Sequence, residues 1–132
     1  MADHVRRYRF PLDAHIRLSA DFDRILSARN RAGDGIVSLY ALPNQLSLTR
    51  LGIAVSSRYG NAVQRNRIKR RIREAFRLVR HELPLGLDLI VMPRTGRCPD
   101  PIEIQTSFRK LIPQLIRHPA FHPGTIQPPP RL

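Results

Sequence analysis

Between Arg65 and Arg73 the chain places six cations in nine residues: Arg65, Arg67, Lys69, Arg70, Arg71 and Arg73. Only Glu74 interrupts the positive charge from Arg65 to Arg80, whereas a solvated helix face normally mixes signs to gain pairwise support. Guanidinium groups grip phosphate through paired N–H bonds and stack on bases, so the chemistry this run suits is holding a polyphosphate backbone. Other chemistry has little to stand on. The ten carboxylates are scattered, without the cluster a two-metal nuclease needs. Of the five histidines only His118 and His122 have helical metal-site spacing, and Pro119 lies between them. Cys98 is the one cysteine, which excludes a disulfide or zinc knuckle and fits a reducing cytoplasm. No catalytic or metal-ligating residue is assigned to the chain.

The whole composition points the same way. At 132 residues the chain fits one domain with a single core. A formal charge of +13 opposes compaction by self-repulsion, and a polyanionic partner would relieve it. All but two of the 23 basic residues, Lys69 and Lys110, are arginines, a bias that a GC-rich genome would also produce. No signal-like apolar run is present at the N-terminus, and no segment approaches the roughly 20 apolar residues of a membrane span. Neither a membrane nor an obligate protein partner is called for.

The cations need a scaffold, and the same segment supplies part of it. Wound at about 100° per residue, Ile68, Ile72, Ala75, Phe76, Val79 and Leu83 share one sector roughly 100° wide, the face of a core-packed helix. Arg65, Lys69 and Arg80 sit at one edge of that stripe, while Arg67, Arg70, Arg71, Arg73 and Arg77 spread over the remaining surface. The edge would line a groove between helix and sheet, and the far side would meet a second RNA surface. Gly60 and the N-cap Asn61 open this helix, which is expected to run to about His81 or Glu82, before Pro84.

Residues 1–18, with Arg6, Arg7, Arg9 and Arg17, read as a poorly ordered basic arm. A single α/β domain is expected over 19–117. Ser19 is placed to cap a first helix carrying Phe22, Ile25 and Leu26. Strands are expected over 36–42 and around Leu51, Ile53 and Val55, the two forming a hairpin. A nearly continuous apolar run, Leu87 to Met92, suits the buried middle of a sheet. Asp100, Pro101 and Glu103 open a last helix that Pro113 should kink or shorten. Residues 118–132 read as a proline-rich, disordered or extended tail. The order of elements makes an α+β fold with helices packed on a small sheet.

The segment from Gly60 to Phe76 resembles the arginine-rich signature of the bacterial ribonuclease P protein subunit. There a Gly-Asn-Ala-Val element precedes Arg-Asn-Arg-x-Lys-Arg and then Arg-(Glu/Gln)-x-Phe; here these are Gly60 to Val63, Arg65 to Arg70, and Arg73 to Phe76. Weaker similarity runs from about residue 10 to 117. Leu26 stands where many members carry a second aromatic, His15-Ile16 replaces a common Arg-Leu, and Ser57 replaces a lysine before Arg58.

This resemblance implies a two-layer α/β sandwich of the ribosomal protein S5 domain 2 type, with the basic helix in a left-handed βαβ crossover. It also implies a protein that assists a catalytic RNA in removing the 5′ leader of precursor tRNA, the RNA holding the Mg2+ ions and doing the hydrolysis. Position by position, Arg58, Asn61, Arg65, Asn66, Arg67, Lys69, Arg70, Arg71 and Arg73 become the RNA-binding candidates. Phe22, Tyr40, Lys69 and Arg73 become candidates for the leader cleft, where rings stack on unpaired bases. A helix-face Phe and a strand Tyr are equally what a core would use, and both readings stay open. A structural RNA-binding protein outside any enzyme would share the charge but not the signature.

Overall fold

The structure, a computed structural model, describes residues 12–121 and 124–129. Its centre is a four-stranded sheet in the order β1-β2-β4-β3, with β1 Arg31–Gly33, β2 Val37–Pro43, β3 Arg50–Ile53 and β4 Leu87–Pro93. The expected hairpin between the second and third of these strands does not form. Strand β4 lies between them, antiparallel to β2 (Leu39 opposite Val91) and parallel to β3 (Leu51 opposite Leu89). The physical reason lies in β4 itself: Leu87 to Val91 are all buried, and only a position with strands on both sides and helices on both faces shelters such a run. Strand β2 makes its hairpin with β1, three residues for which no strand was expected. The turn between them is held by the Asp34 carboxylate, whose Oδ1 accepts from the N–H groups of Ile36 (3.0 Å) and Val37 (3.2 Å).

Three helices cover this sheet: α1 Ser19–Ser27, α2 Ala62–Val79 and α3 Pro101–Leu115. Alternation along the strands sends Val37, Leu39, Ala41, Leu51, Leu89 and Val91 to the face packed by α2 and α3. There the Phe76 and Phe108 rings join the two helices, with centroids 5.8 Å apart. Even-numbered Tyr40, Leu42 and Ile90 point to the opposite face, where Ile25 and Phe22 of α1 meet them. Helix α2 is the connection between parallel neighbours β3 and β4, so the basic helix is itself the βαβ crossover.

Local signals explain the helix ends. Asn61 and Gln64 form a reciprocal capping box, Gln64 N–H to Asn61 Oδ1 at 2.9 Å and Asn61 N–H to Gln64 Oε1 at 2.8 Å. A Cβ on Gly60 would push the end of the Gln64 side chain out of the cap, and at φ +156° a side chain would also be strained, so glycine suits the residue before this cap. Glu103 Oε2 accepts from the Asp100 N–H at 3.0 Å to open α3. That helix continues two residues past Pro113 before ending at Leu115. Helix α1 departs from expectation at its start: Ser19 is its first residue, Leu18 occupies the cap position, and no side chain caps it.

The N-terminal segment is more structured than expected where it is described, and the tail pairs in an extended form at one point. In place of an irregular arm, Leu12–Ala14 form a 3-10 turn, and the Ile16 N–H donates to Leu51 O at 2.9 Å, so the segment runs along the outer edge of β3. Ala14 and Ile16 are buried there, apolar side chains that a solvated arm could not shelter. In the tail, Leu85 and Gln127 exchange backbone hydrogen bonds of 2.8 and 2.9 Å. Arg6, Arg7 and Arg9 lie outside the described residues.

Candidate nucleic-acid interface

Helix α2 buries Ile68, Ile72, Ala75, Phe76 and Val79 against the sheet, as the periodicity requires, and the cations divide on either side of that stripe. Along one edge, Lys69 and Arg73 face a groove of about 300 Å³ shared with Phe22 of α1, Gly52 and Ile53 of β3, and Arg17. Three elements adjacent only in space thus meet in one concavity. Arg73 lies about 40° round the helix from Lys69 at the ideal turn of 100° per residue and shares the groove with it; the winding alone put Arg73 on the remaining surface, whereas the resemblance grouped it with Lys69 and Phe22. The ring of Phe22 rests on Gly52 and is only partly exposed, so it serves the core and lines the groove at once.

Tyr40 is placed differently. It shares a lateral row with Ile90 and Gly52 on the same sheet face, but stands on β2, two strands away, and does not line the groove of Phe22, Lys69 and Arg73. Arg17 was missed as a groove residue because it falls in the segment expected to be irregular. Its only sequence signal was its charge beside the apolar Ile16.

On the opposite edge, Arg71 Nη1 donates to the carbonyls of Cys98 (3.0 Å) and Pro99 (3.2 Å), tying the helix to the loop after β4. Arg65 Nη1 donates to Gly60 O at 2.6 Å and so braces the helix start. These two arginines are partly spent on structure, as is Asn61 in its cap. Arg58, Asn66, Arg67, Arg70 and Arg73 are exposed and Lys69 half-buried. Among the described residues, Arg58, Arg67, Lys69, Arg70 and Arg73 have no hydrogen-bond or ion-pair partner, in contrast to Arg77, which Glu74 Oε1 holds at 2.6 Å. The described residues contain no group of three or more His, Cys, Asp or Glu arranged to hold a metal ion.

The fold that carries this basic helix is shared with known proteins. The ribonuclease P family model matches residues 10–115. The chain belongs to the ribonuclease P protein family. It is 42% identical over 81 residues to the ribonuclease P protein component of Chlamydia trachomatis serovar D, covering 61% of this chain and 67% of that one. It is also similar to the Staphylococcus aureus RNase P protein (34% identity, TM-score 0.66, 76% of this chain and 93% of that chain). The Thermotoga maritima RNase P protein gives 28% identity and a TM-score of 0.67 over 74% and 94% of the two chains.

In this member of the ribonuclease P protein family the groove is braced by a buried charge cluster that the sequence reading did not identify. Asp88 of β4 is fully buried. Arg50 of β3 grips it with both arms, Nε to Oδ1 at 2.7 Å and Nη2 to Oδ2 at 2.6 Å. Arg24 of α1 reaches Oδ2 at 2.5 Å, and Asn44 Nδ2 reaches Oδ1 at 2.9 Å. Burial alone would raise the pKa of this carboxyl, but the bonds from Arg50, Asn44 and Arg24 outweigh it and hold the group below its usual range. Because Arg24 lies two residues from Phe22, the cluster fixes the helix that carries the groove's aromatic wall. The signal was there: a lone carboxylate inside the apolar run 87–92 has to be paired.

Proposed function

We propose that the chain binds the catalytic RNA of ribonuclease P and the 5′ leader of precursor tRNA, and so assists endonucleolytic removal of that leader. The observation that carries the reading is the groove in which Phe22 stands beside Lys69 and Arg73, two cations without acidic partners among the described residues. A single strand laid there meets a ring for a base and ammonium and guanidinium groups for phosphates, contacts that need no particular sequence. Arg67 and Arg70, turned away from the groove, meet the second RNA. Two RNAs repel, and a cationic ridge between them lowers the cost of bringing the scissile phosphate to the catalytic metal ions. Those Mg2+ ions belong to the RNA in this reading. The holoenzyme would work in the cytoplasm.

Reconstitution tests this directly. Mixed with a bacterial ribonuclease P RNA at low magnesium, the full chain should restore 5′ leader removal from a precursor tRNA. Failure with several cognate RNAs would favour a structural RNA-binding protein instead.

A further inference from the structure

A second groove, also about 300 Å³, lies on the other edge of α2 and is lined by Tyr59, Gln64, Arg67, Gly96, Arg97 and Cys98. Its walls are tied together. The Tyr59 hydroxyl donates to Arg97 O at 2.7 Å, and Arg71 holds the next two carbonyls of the same loop. With its polar end satisfied, the remainder of the Tyr59 ring is an apolar wall in a fixed position. Burial, followed by contact with Cys98, pushes the phenol up to about 12, so it stays a neutral donor. The rim is open at Gly96, where a Cβ would have no heavy atom within 4 Å.

The charges are unequal. Arg97 is engaged by Glu103, whereas Arg67 is exposed and without an ion-pair partner among the described residues. A flat ring wall beside one available guanidinium suits a flat aromatic group that carries an anion close by. Nucleotides of single-stranded RNA have that chemistry, and the +13 charge of the chain favours them over a protein segment. Lys69 and Arg67 lie about 160° apart round the helix at its ideal turn, so the two grooves open on opposite sides of it.

We propose that this groove receives one unpaired nucleobase of the catalytic RNA, stacked on Tyr59 with a flanking phosphate on Arg67. The inference rests on the function proposed above and adds a site to it.

Cys98 is the only cysteine and is exposed on the rim, so its alkylation reports occupancy without any substitution. The full chain would be treated with N-ethylmaleimide alone, with saturating catalytic RNA, and with a saturating single-stranded leader oligonucleotide. Catalytic RNA should slow alkylation at least about tenfold, the leader less than about twofold. Equal rates with and without catalytic RNA, or protection by the leader alone, would overturn the proposal. A second arm compares Tyr59→Leu with Tyr59→Phe. Loss of one stacked base should weaken catalytic-RNA binding by about 5- to 150-fold in the leucine variant and leave the phenylalanine variant near wild type. If leader removal is reconstituted but neither arm responds, this site alone is wrong; if leader removal itself fails, the function is.

Discussion

The ring of Phe22 rests on the bare backbone of Gly52: a Cβ built on that glycine would stand 2.7 Å from Phe22 Cζ and 3.3 Å from Ile16 Cβ. The absence of a side chain on β3 is what lets an aromatic from α1 reach the groove lined by Lys69 and Arg73. Gly52→Ala should therefore push the ring aside. Leader affinity is expected to fall by as much as the value of one stacked base, about 1–3 kcal/mol, while affinity for the catalytic RNA stays unchanged. Fluorescence anisotropy with a labelled leader and with the catalytic RNA separates the two, and an equal loss on both would argue against a leader-specific groove.

The partnerless cations predict a different signature. Replacing Lys69 and Arg73 with glutamine removes two phosphate contacts and no internal bond, so the salt dependence of leader binding should flatten by about 1.4 in log–log slope, at about 0.7 per contact. Thermal stability should hold or rise slightly, because self-repulsion falls. A parallel titration of Arg77→Gln, whose guanidinium is already held by Glu74, should change the slope far less.

Asp88 predicts an acid limit. Its carboxyl is held below its unfolded-state value, near 4 for aspartate, so its stabilisation is complete above that value and is lost as pH falls through the lower folded-state value. Asp88→Asn should cost about 3–5 kcal/mol, since two guanidinium groups are left without their buried anion. Urea denaturation at neutral pH measures that loss. Repeated at successively lower pH below about 4, it should show the wild type converging on the variant; a gap that stays constant would mean the carboxylate is not the group that matters.

Removing the cap of the basic helix should have a smaller effect. Asn61→Ala leaves the Gln64 N–H without its acceptor and should destabilise by about 1 kcal/mol. Catalytic-RNA affinity should fall only slightly, because the cations further along α2 keep their packing; chemical denaturation and filter binding would read the two effects.

What the sequence made legible follows the range of the interaction. The face of α2 and its cap were readable because periodicity and capping depend on residues three or four apart, and Ile68, Ile72 and Phe76 are buried as expected. Strand order was not. Val37–Pro43 and Arg50–Ile53 are near in sequence and suggest a hairpin, yet the stronger demand comes from Leu87–Val91, which needs a neighbour on each side. Arg31–Gly33 is too short to carry an alternation signal. The meeting of Phe22 with Lys69 and Arg73 was reached through family resemblance, since nothing local to α1 tells where α2 will lie. Arg17 and the Arg24–Asp88–Arg50 cluster stayed hidden for the same reason: each joins segments far apart in the chain.

The place of β4 also sets an order of events during synthesis. Strands β2 and β3 have no bonds to each other and both wait for residues 87–93, so the first 86 residues cannot close the sheet. The arginine-rich helix is complete in sequence before the strand that finishes the surface beneath it has been made. Until residues 87–93 are in place, the apolar side of that cationic amphipathic helix has no complete sheet to pack on. That side is covered in two steps: β4 joins both halves of the sheet, and α3, made last, brings Phe108 against Phe76.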